Sequence, residues 1–571
     1  MVTNEYIVET LELTAKLMEL HDVDEFRIRA YTNAVYYLDK FTGDLAGMDI
    51  VQLTQVQGVG KTVAGKVVEI VTTGTLKELQ DLLTTTPEGV IDMFKIKGIG
   101  VKKIKTLWKE VGIDNINDLQ IACENGTLGK VKGFGGKTQD TILESIVFLQ
   151  SQAGKLRMDK AEALAETIVE DLKKYFSRVE VSGQVRRKNE IVDSLLMLVS
   201  ADEPTSNGFF ANLPESFVEN PKLSSPFTWR GKYLDNKIDL EIKFVPANKL
   251  VQKQFVYSAD ISHLKHKNEQ GKTLMQVSAV DGISTEEEIY EKYGIPYIVP
   301  EMREGAGEFE WILNRKNEDL VTWKSLKGIL HNHSTYSDGR HSLEQMARYC
   351  QELGFEYLGI ADHSQSAQYA SGLGVHKIMQ QHAEIEELNK KLNEGGGKPF
   401  KILRGIESDI LGDGSLDYPD EVLATFDFIV ASVHSNLTMT EARATERLIK
   451  AIENPYTTIL GHPTGRLLLS RQGYPIDYKA IIDACAENGV IIEINASPYR
   501  LDLDWRWIQY ALEKGVMLSI NPDAHEMEGY MDMHYGVAVA RKGGLTTDMT
   551  FNALSLAEIE AFLAKRKERV K

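Results

Sequence analysis

Between Lys327 and His525 short apolar runs alternate with longer amphipathic stretches, and each run ends on a polar residue. The runs are GIL before His331 and His333, YLGIA before Asp362 and His363, and ILRGI before Glu407. Then come FIVASV before His434, TTIL and a glycine before His462, VIIEI before Asn495, and VMLSINP before Asp523 and His525. A short run that is apolar at consecutive positions reads as a strand buried on both faces, and the stretches between read as helices. The pattern predicts a parallel α/β arrangement from about residue 326 to the end. In an α/β barrel the C-terminal strand ends converge on one face, so these imidazoles and carboxylates are expected to meet in one place.

Residues 1 to about 150 show helical periodicity and an internal repeat. Its copies are VQGVGKTVAGKVVEI (56–70), IKGIGVKKIKTLWKEVGI (96–113) and VKGFGGKTQDTILESI (131–146). Each reads apolar–x–Gly–apolar–Gly and enters an amphipathic helix. The pairs Gly58 and Gly60, Gly98 and Gly100, and Gly133 and Gly135 permit a tight turn with positive φ. Such a turn aims backbone N–H groups outward at a helix N-terminus, which suits a phosphate. Lys61, Lys102, Lys103 and Lys137 follow directly and add positive charge. A glycine-capped helix connection accounts for one copy; three copies with a lysine in the same place favour contact with a DNA backbone, independent of base sequence. The pattern resembles the helix-hairpin-helix motif.

Residues 150 to about 315 read as mixed α+β. A helix (158–176) precedes strands at 179–188 and 190–200, with another at 237–245. EMREGAGEFEWILNRKNEDLV reads as a linker, GGG (395–397) as a surface loop, and AEIEAFLAKRKERVK as a solvated C-terminal helix.

Bulk composition narrows the class. The chain has 571 residues, 43% hydrophobic and 26% charged, as in a soluble multidomain protein. No stretch reads as a membrane span, and the N-terminus lacks the pattern of a signal peptide. Cys123, Cys350 and Cys485 are too widely spaced for a disulfide framework or a CxxC site. A cytoplasmic location and a monomer are the expectations. A net charge of −18 argues against a protein that coats nucleic acid everywhere, but leaves room for a local basic surface. Ten of the thirteen histidines lie between His331 and His534, which marks that region as the place for metal chemistry. A mixed imidazole and carboxylate shell suits Mn²⁺ or Zn²⁺. Asp362, beside His363, is a candidate to orient a ligating imidazole. Arg466 and Arg500 follow strand ends and are candidates to hold substrate phosphates. His341, His376, His382 and His534 do not fall at strand ends.

The order of elements, with HNHSTYSDG, ADHS, GIESDI, SVHS, GHPTGR, INASPYRLDLDW and NPDAH, resembles the bacterial family X DNA polymerases (PolX). KYGIPYIVPEMREGAGEFE is similar to that family's junction between thumb and PHP (polymerase and histidinol phosphatase) domain. The resemblance implies a multidomain chain. A helical domain with one hairpin would span 1–80 and a helical region with two more 81–150. A nucleotidyltransferase-like palm would span 151–245, a thumb-like segment 246–315, a linker 316–326, and a distorted seven-stranded (β/α)7 PHP barrel 327–571. It further implies that His331, His333, Glu407 and Asp523 hold one metal. Glu407 would bridge to a second with His434 and His462, and Asp338, His363 and His525 would hold a third. Glu407 and Asp523 would then be catalytic. Lys66 occupies the place of a lysine that forms a Schiff base with abasic sugars in eukaryotic members, which implies a lyase.

The palm departs from the family pattern. Family X palms carry Gly-Ser, two arginines, then Asp-x-Asp. Here Gly183-Gln184-Val185-Arg186-Arg187 is followed by Ile191-Val192-Asp193-Ser194-Leu195-Leu196. Ser194 and Leu196 stand where two carboxylates belong, and a register shift still supplies only one. Residues i and i+2 share a strand face, and two-metal phosphoryl transfer needs carboxylates there. Asp239 in KIDLEI keeps the third position, while YSADIS (257–262) replaces the family's nucleotide-binding Thr-Gly-Ser. No Mg²⁺ is expected in this palm. The expected function is therefore a DNA-repair enzyme acting on gapped, nicked or 3′-end DNA as a metal-dependent 3′–5′ exonuclease, with polymerisation weak or lost. The rivals are a gap-filling polymerase, a small-molecule phosphatase and a non-enzymatic DNA scaffold.

Overall fold

The computed structural model describes residues 2–41, 43–96, 98–201, 209, 214–394 and 397–568. It divides into two compact units, Met1–Ala153 and Gly154–Lys571.

The first unit is helical. Its longer helices are Asn4–Leu20, Glu25–Asp39, Lys61–Thr73 and Gly136–Gln152. Ile7, Leu11, Met18, Val63, Val67, Ile70, Ile104, Ile142 and Ile146 meet in one core, at the helical spacing that puts each on an inward face. The three repeats fold alike. Gly58, Gly98 and Gly133 take φ of +77°, +90° and +89°, while Val59, Ile99 and Phe134 turn into the core. Gly60, Gly100 and Gly135 are extended and cap the helix that follows, with no side chain in the cap. Positive φ thus belongs to the first glycine of each pair alone. At Gly58 a Cβ would also lie 2.1 Å from the Tyr37 ring, so the position excludes side chains twice over.

Among its described residues the second unit holds three sheets. Strands β1 (Leu156–Arg157) and β3 (Ile191–Val192) form a small antiparallel pair. Strands β2 (Val179–Ser182), β4 (Ser194–Ser200), β5 (Phe217–Glu219), β6 (Thr228–Tyr233) and β7 (Asp239–Val245) form a mixed sheet in the order β2-β4-β7-β6-β5. The strand expected over 179–188 stops at Ser182. Gly183 sits at φ +63°, and the chain turns into the short helix Gly183–Arg186. The region read as a linker is folded: Met302, Ile312 and Leu320 join the core of the helices that follow the sheet, and Val321 joins the barrel's core. Trp311 Nε1 also donates to the Gly544 carbonyl at 3.0 Å.

The last part is a seven-stranded parallel sheet. Its strands are β8 (Gly328–Leu330), β9 (Tyr357–Ile360), β10 (Lys401–Asp409), β11 (Phe428–Ser432), β12 (Ile459–Leu460), β13 (Ile491–Asn495) and β14 (Leu518–Asn521), neighbours in chain order. Beyond β8 and β14 the gap is bridged at one end: Asp523 N–H donates to the His331 carbonyl and His333 N–H to that of Ala524. The barrel is therefore nearly closed where the polar residues lie.

The side-chain alternation builds a graded interior. Ile329, Leu358, Ile402, Ile429, Leu460, Ile492 and Leu518 face the surrounding helices. Leu330, Leu403, Phe428, Val430, Ile459 and Ile491 face inward. Gly359 and Gly405 leave room for the Phe428 ring, which a Cβ would meet at 2.6 and 2.2 Å. Each inward column becomes polar two residues at a time: Leu403–Gly405–Glu407–Asp409, Phe428–Val430–Ser432–His434 and Ile491–Glu493–Asn495. The far end is closed by the helix Leu556–Glu568, read from its charge as solvated. Ile559 and Leu563 are buried in the barrel's inner core, and Arg566 donates to the carbonyls of Gly489 and Thr457. Of the glycine run read as a loop, Gly395 and Gly396 lie outside the described residues. The three cysteines are buried and unpaired. No described helix is long and apolar enough to cross a membrane.

Candidate metal centre

All nine ligand-type residues expected from strand ends converge at the polar end of the barrel. Glu407, fully buried on β10, lies at the middle. Its carboxylate is 3.2 Å from His331 Nε2, 2.9 Å from His363 Nδ1, 3.2 Å from His434 Nε2 and 3.0 Å from His462 Nε2. Asp523 Oδ1 lies 3.1 Å from His333 Nε2, and Asp338 Oδ1 lies 3.5 Å from His525 Nε2 and 3.7 Å from His363 Nε2. Three groups have ligand atoms within 4.8 Å of one another: His331, His333 and Asp523; His363, Glu407 and His434; and His333, Asp338, His363 and His525. His363 rather than His462 thus stands with Glu407 and His434, and His462 is hydrogen-bonded to Glu407.

The donor atoms fit metal ions. His331 Nε2, His363 Nδ1 and Glu407 Oε2 are buried and make no hydrogen bond, although each lies close to a neighbour. Lone pairs that converge on one point are stabilised by a shared cation. Electrostatics point the same way. Burial opposes charge on Glu407 and Asp523, yet the surrounding imidazoles hold both carboxyls well below the usual carboxylate range. Burial, with the charges of His525 and His363 beside it, pushes His333 down to about 3, which leaves a neutral ring with a lone pair to offer. His434 rises to about 10 against the cost of burial because Glu407 and Asp409 face it.

Two carboxylates that the run pattern passed over orient the ligands. Glu493 Oε1 meets His331 Nδ1 at 2.6 Å and Asp409 Oδ1 meets His434 Nδ1 at 2.6 Å. Each fixes the tautomer that turns Nε2 toward Glu407. Glu493 sits inside its run (VIIEI) and Asp409 two residues past Glu407 on the same strand, each at the i+2 spacing of the inward columns, which is the signal that identifies them. Asp362, expected in that role, instead accepts hydrogen bonds from Ser334 N, Ser334 Oγ, Ser337 Oγ and Gln381 Nε2. Burial raises its pKa, and those four donors hold the loop after β8 in place.

The two arginines separate. Arg500 Nε lies 3.4 Å from Asp523 Oδ2, at the edge of the ligand cluster. Arg466 donates to the carbonyls of Arg500 and Leu501 and to Asp504, so its guanidinium braces the loop rather than facing a substrate.

The palm face carries no such cluster among the described residues. Ser194 pairs with Asp239, and Leu196 with Glu241, across β4 and β7. Glu241 is a second carboxylate that alignment to the Asp-x-Asp positions misses. Both acids are matched by cations from β6: Lys232 Nζ lies 2.7 Å from Asp239 and Arg230 2.9 Å from Glu241. Gln184 exchanges two hydrogen bonds with Asp193. Arg186 pairs with both oxygens of Glu286 at 2.6 and 3.0 Å, and Arg187 with Glu304 at 2.9 Å. In the first unit Lys61, Lys102 and Lys137 are exposed beside their glycine turns, and Lys103 Nζ caps the Gly98 carbonyl at 3.3 Å. Lys66 Nζ lies 3.2 Å from Glu69 and 3.9 Å from Glu78.

Comparison with known proteins follows the same division. Residues 2–76 match the model of a helix-hairpin-helix domain, 90–146 that of a SAM-like helix-hairpin-helix tandem, and 330–497 that of the PHP domain. Over 582 aligned positions the chain is 33% identical to the DNA polymerase/3′-5′ exonuclease PolX of Bacillus subtilis strain 168, covering 98% of this chain and 99% of that protein. A probable phosphatase of Thermoanaerobacter sp. strain X514 is 27% identical, over 42% of this chain and 95% of its own. One of Acetivibrio thermocellus is 26% identical, over 42% and 96%.

Proposed function

This chain belongs to the PolX family, and from that premise we propose that it is a metal-dependent 3′–5′ exonuclease on DNA, working through its barrel, with a palm that serves as scaffold. The observation that carries this reading is the cluster of nine ligand-type residues centred on Glu407, in which the buried His331 Nε2, His363 Nδ1 and Glu407 Oε2 lack hydrogen-bond partners. Its mixed imidazole and carboxylate shell suits two or three Mn²⁺ or Zn²⁺ ions. When bound, they would supply Lewis-acid polarisation and neutralise charge on a phosphodiester. His331, His333 and Asp523 would hold one, His363, His434 and His462 with Glu407 another, and Asp338 and His525 with His333 and His363 a third. Glu493 and Asp409 keep the imidazoles aimed, and Arg500 offers a fixed positive charge to a phosphate beside Asp523. Burial keeps bulk water from Glu407, His331, His333 and His462, which strengthens the charge interactions among them.

Three hairpin turns of one geometry, each followed by exposed lysine, would hold the DNA backbone of gapped, nicked or 3′-end substrates. The B. subtilis relative's name includes polymerase, but Ser194 and Leu196 stand at its expected carboxylate positions, and Asp239 and Glu241 are already neutralised by Lys232 and Arg230. The engaged ammonium of Lys66 favours no lyase. The likeness of the barrel alone to probable phosphatases supports a second reading, hydrolysis of small phosphomonoesters. One incubation separates them: a 5′-labelled primer–template with Mn²⁺ and nucleotides, beside p-nitrophenyl phosphate. Stepwise shortening supports the exonuclease, extension the polymerase, and release of nitrophenol without shortening the phosphatase.

A further inference from the structure

Tyr369 is exposed at 71% of its surface, yet it stands over the most buried polar cluster of the molecule. Its ring centroid lies 6.1 Å from that of His363 at an interplanar angle of 58°. Burial of its hydroxyl, and then the charges of Asp409, Glu407 and Asp338, raise its phenol's pKa, in keeping with a place beside the ligand cluster. The loop that carries it is rigid. Leu373 N–H donates to the His363 carbonyl, Ala367 N–H to Ser364, and Gly372 N–H to Ala367. A Cβ at Gly372 would lie 1.9 Å from the Ser364 oxygen, so the turn closes as tightly as backbone allows. Ala367 and Ala370, on either side of the tyrosine, are buried. Ser366 Oγ donates to Asp409 at 2.7 Å, the same carboxylate that orients His434. The loop therefore holds an aromatic ring out in water at a set place above the ligands, with no packing gain for the fold.

Resting on the exonuclease reading above, we propose that Tyr369 is a stacking platform for the 3′-terminal base, placing the last phosphodiester over the ligand cluster beside Arg500. An exposed ring on a pinned loop loses little freedom when a base stacks on it, and every base has a face to offer, so the contact would be tolerant of sequence. It would act on terminal nucleotides that are unpaired and free to lie flat on the ring.

The test compares two single-stranded oligonucleotides differing only in whether the 3′-terminal residue carries a base. The expected result is a KM on the order of tenfold lower for the base-bearing end, a difference that Tyr369→Ala abolishes and Tyr369→Phe retains. Full discrimination by Tyr369→Ala would overturn the proposal, as would a Tyr369→Phe variant that behaves like alanine, since the hydroxyl and not the ring would then act. A second readout does not need turnover. An oligonucleotide ending in 2-aminopurine through a phosphorothioate linkage should lose fluorescence on binding to the full chain with Mn²⁺, and lose much less on binding to Tyr369→Ala. Equal quenching by the two proteins would sink the stacking role. Failure of the wild type to shorten any oligonucleotide would sink the exonuclease reading, whatever the quenching shows.

Discussion

The palm-like sheet and the barrel obey one rule, that residues two apart on a strand share a face, and they use it oppositely. In the barrel each inward column passes from apolar to ligating residues, and the carboxylates face imidazoles. In the palm the two carboxylates of β7 face Lys232 and Arg230, which supply inside the protein the charge that a cation would otherwise bring. Even the arginines after Gly183 are turned to this use, pairing with Glu286 and Glu304.

The largest effect should come from the centre of the barrel. Glu407→Ala removes the carboxylate that touches four imidazoles, and hydrolysis of 3′ ends should fall by roughly a thousandfold or more. Elemental analysis of the Mn²⁺-loaded variant should find fewer ions per chain than in the wild type. The matching change in the palm, Asp239→Ala, should leave 3′-end shortening within about twofold, because that carboxylate pairs only with lysine. Loss of shortening in Asp239→Ala would erase the contrast between the two regions.

Polymerisation is the converse test. In a variant with His331→Ala and His333→Ala, shortening cannot mask extension. The expected result is no templated extension with Mg²⁺ or Mn²⁺, since charge stabilisation worth roughly a thousandfold per ~4 kcal/mol lacks its ligands. Robust extension on a labelled primer–template would return the palm to service.

The contrast also explains what could be read from sequence. The seven strands were visible because both faces of a barrel strand are buried, so each run is largely apolar. The ligands were visible because most of them end those runs. Glu493 and Asp409 were passed over because one lies inside a run and the other past a ligand already counted, and both serve imidazoles distant in sequence. Asp362 and Arg466 were misread because adjacency to a ligand says nothing of where a side chain points. The segment around Arg303 read as a linker because its burial depends on Glu286 and on a cage of Phe255, Tyr290 and Tyr297 contributed from elsewhere. The C-terminal helix read as solvated because only a few positions, among them Ile559, Leu563 and Arg566, face the barrel's lower end.

A smaller effect is expected in the helical unit. Replacing Lys61, Lys102 and Lys137 by glutamate should weaken binding to all DNA sequences alike, by roughly tenfold or more at moderate salt. The slope of log K against log salt should flatten as phosphate contacts are lost. Fluorescence anisotropy over a salt series measures both. A slope unchanged from the wild type would assign the glycine turns to folding alone.

The smallest effect tests the seam between the two regions. The barrel helix Met533–Lys542 sends the buried Lys542 to the Arg187 carbonyl and Asn189 Oδ1, each at 3.0 Å. Before that helix stands Asp532, whose carboxyl is pushed up to about 7 by burial and by Asp159 and Glu526, against a smaller opposing pull from Arg157. An acid with a raised folded-state pKa binds its proton more tightly when folded. Its contribution to stability is complete below the unfolded value near 4 and is lost as pH rises toward 7. Asp532→Asn keeps the neutral form at every pH. It should therefore raise the melting temperature by roughly 1–3 °C at pH 8 and leave it nearly unchanged at pH 4. Calorimetry at the two pH values measures the difference. An equal shift at both would mean that packing, not charge, governs the seam, and that the palm braces the barrel by shape alone.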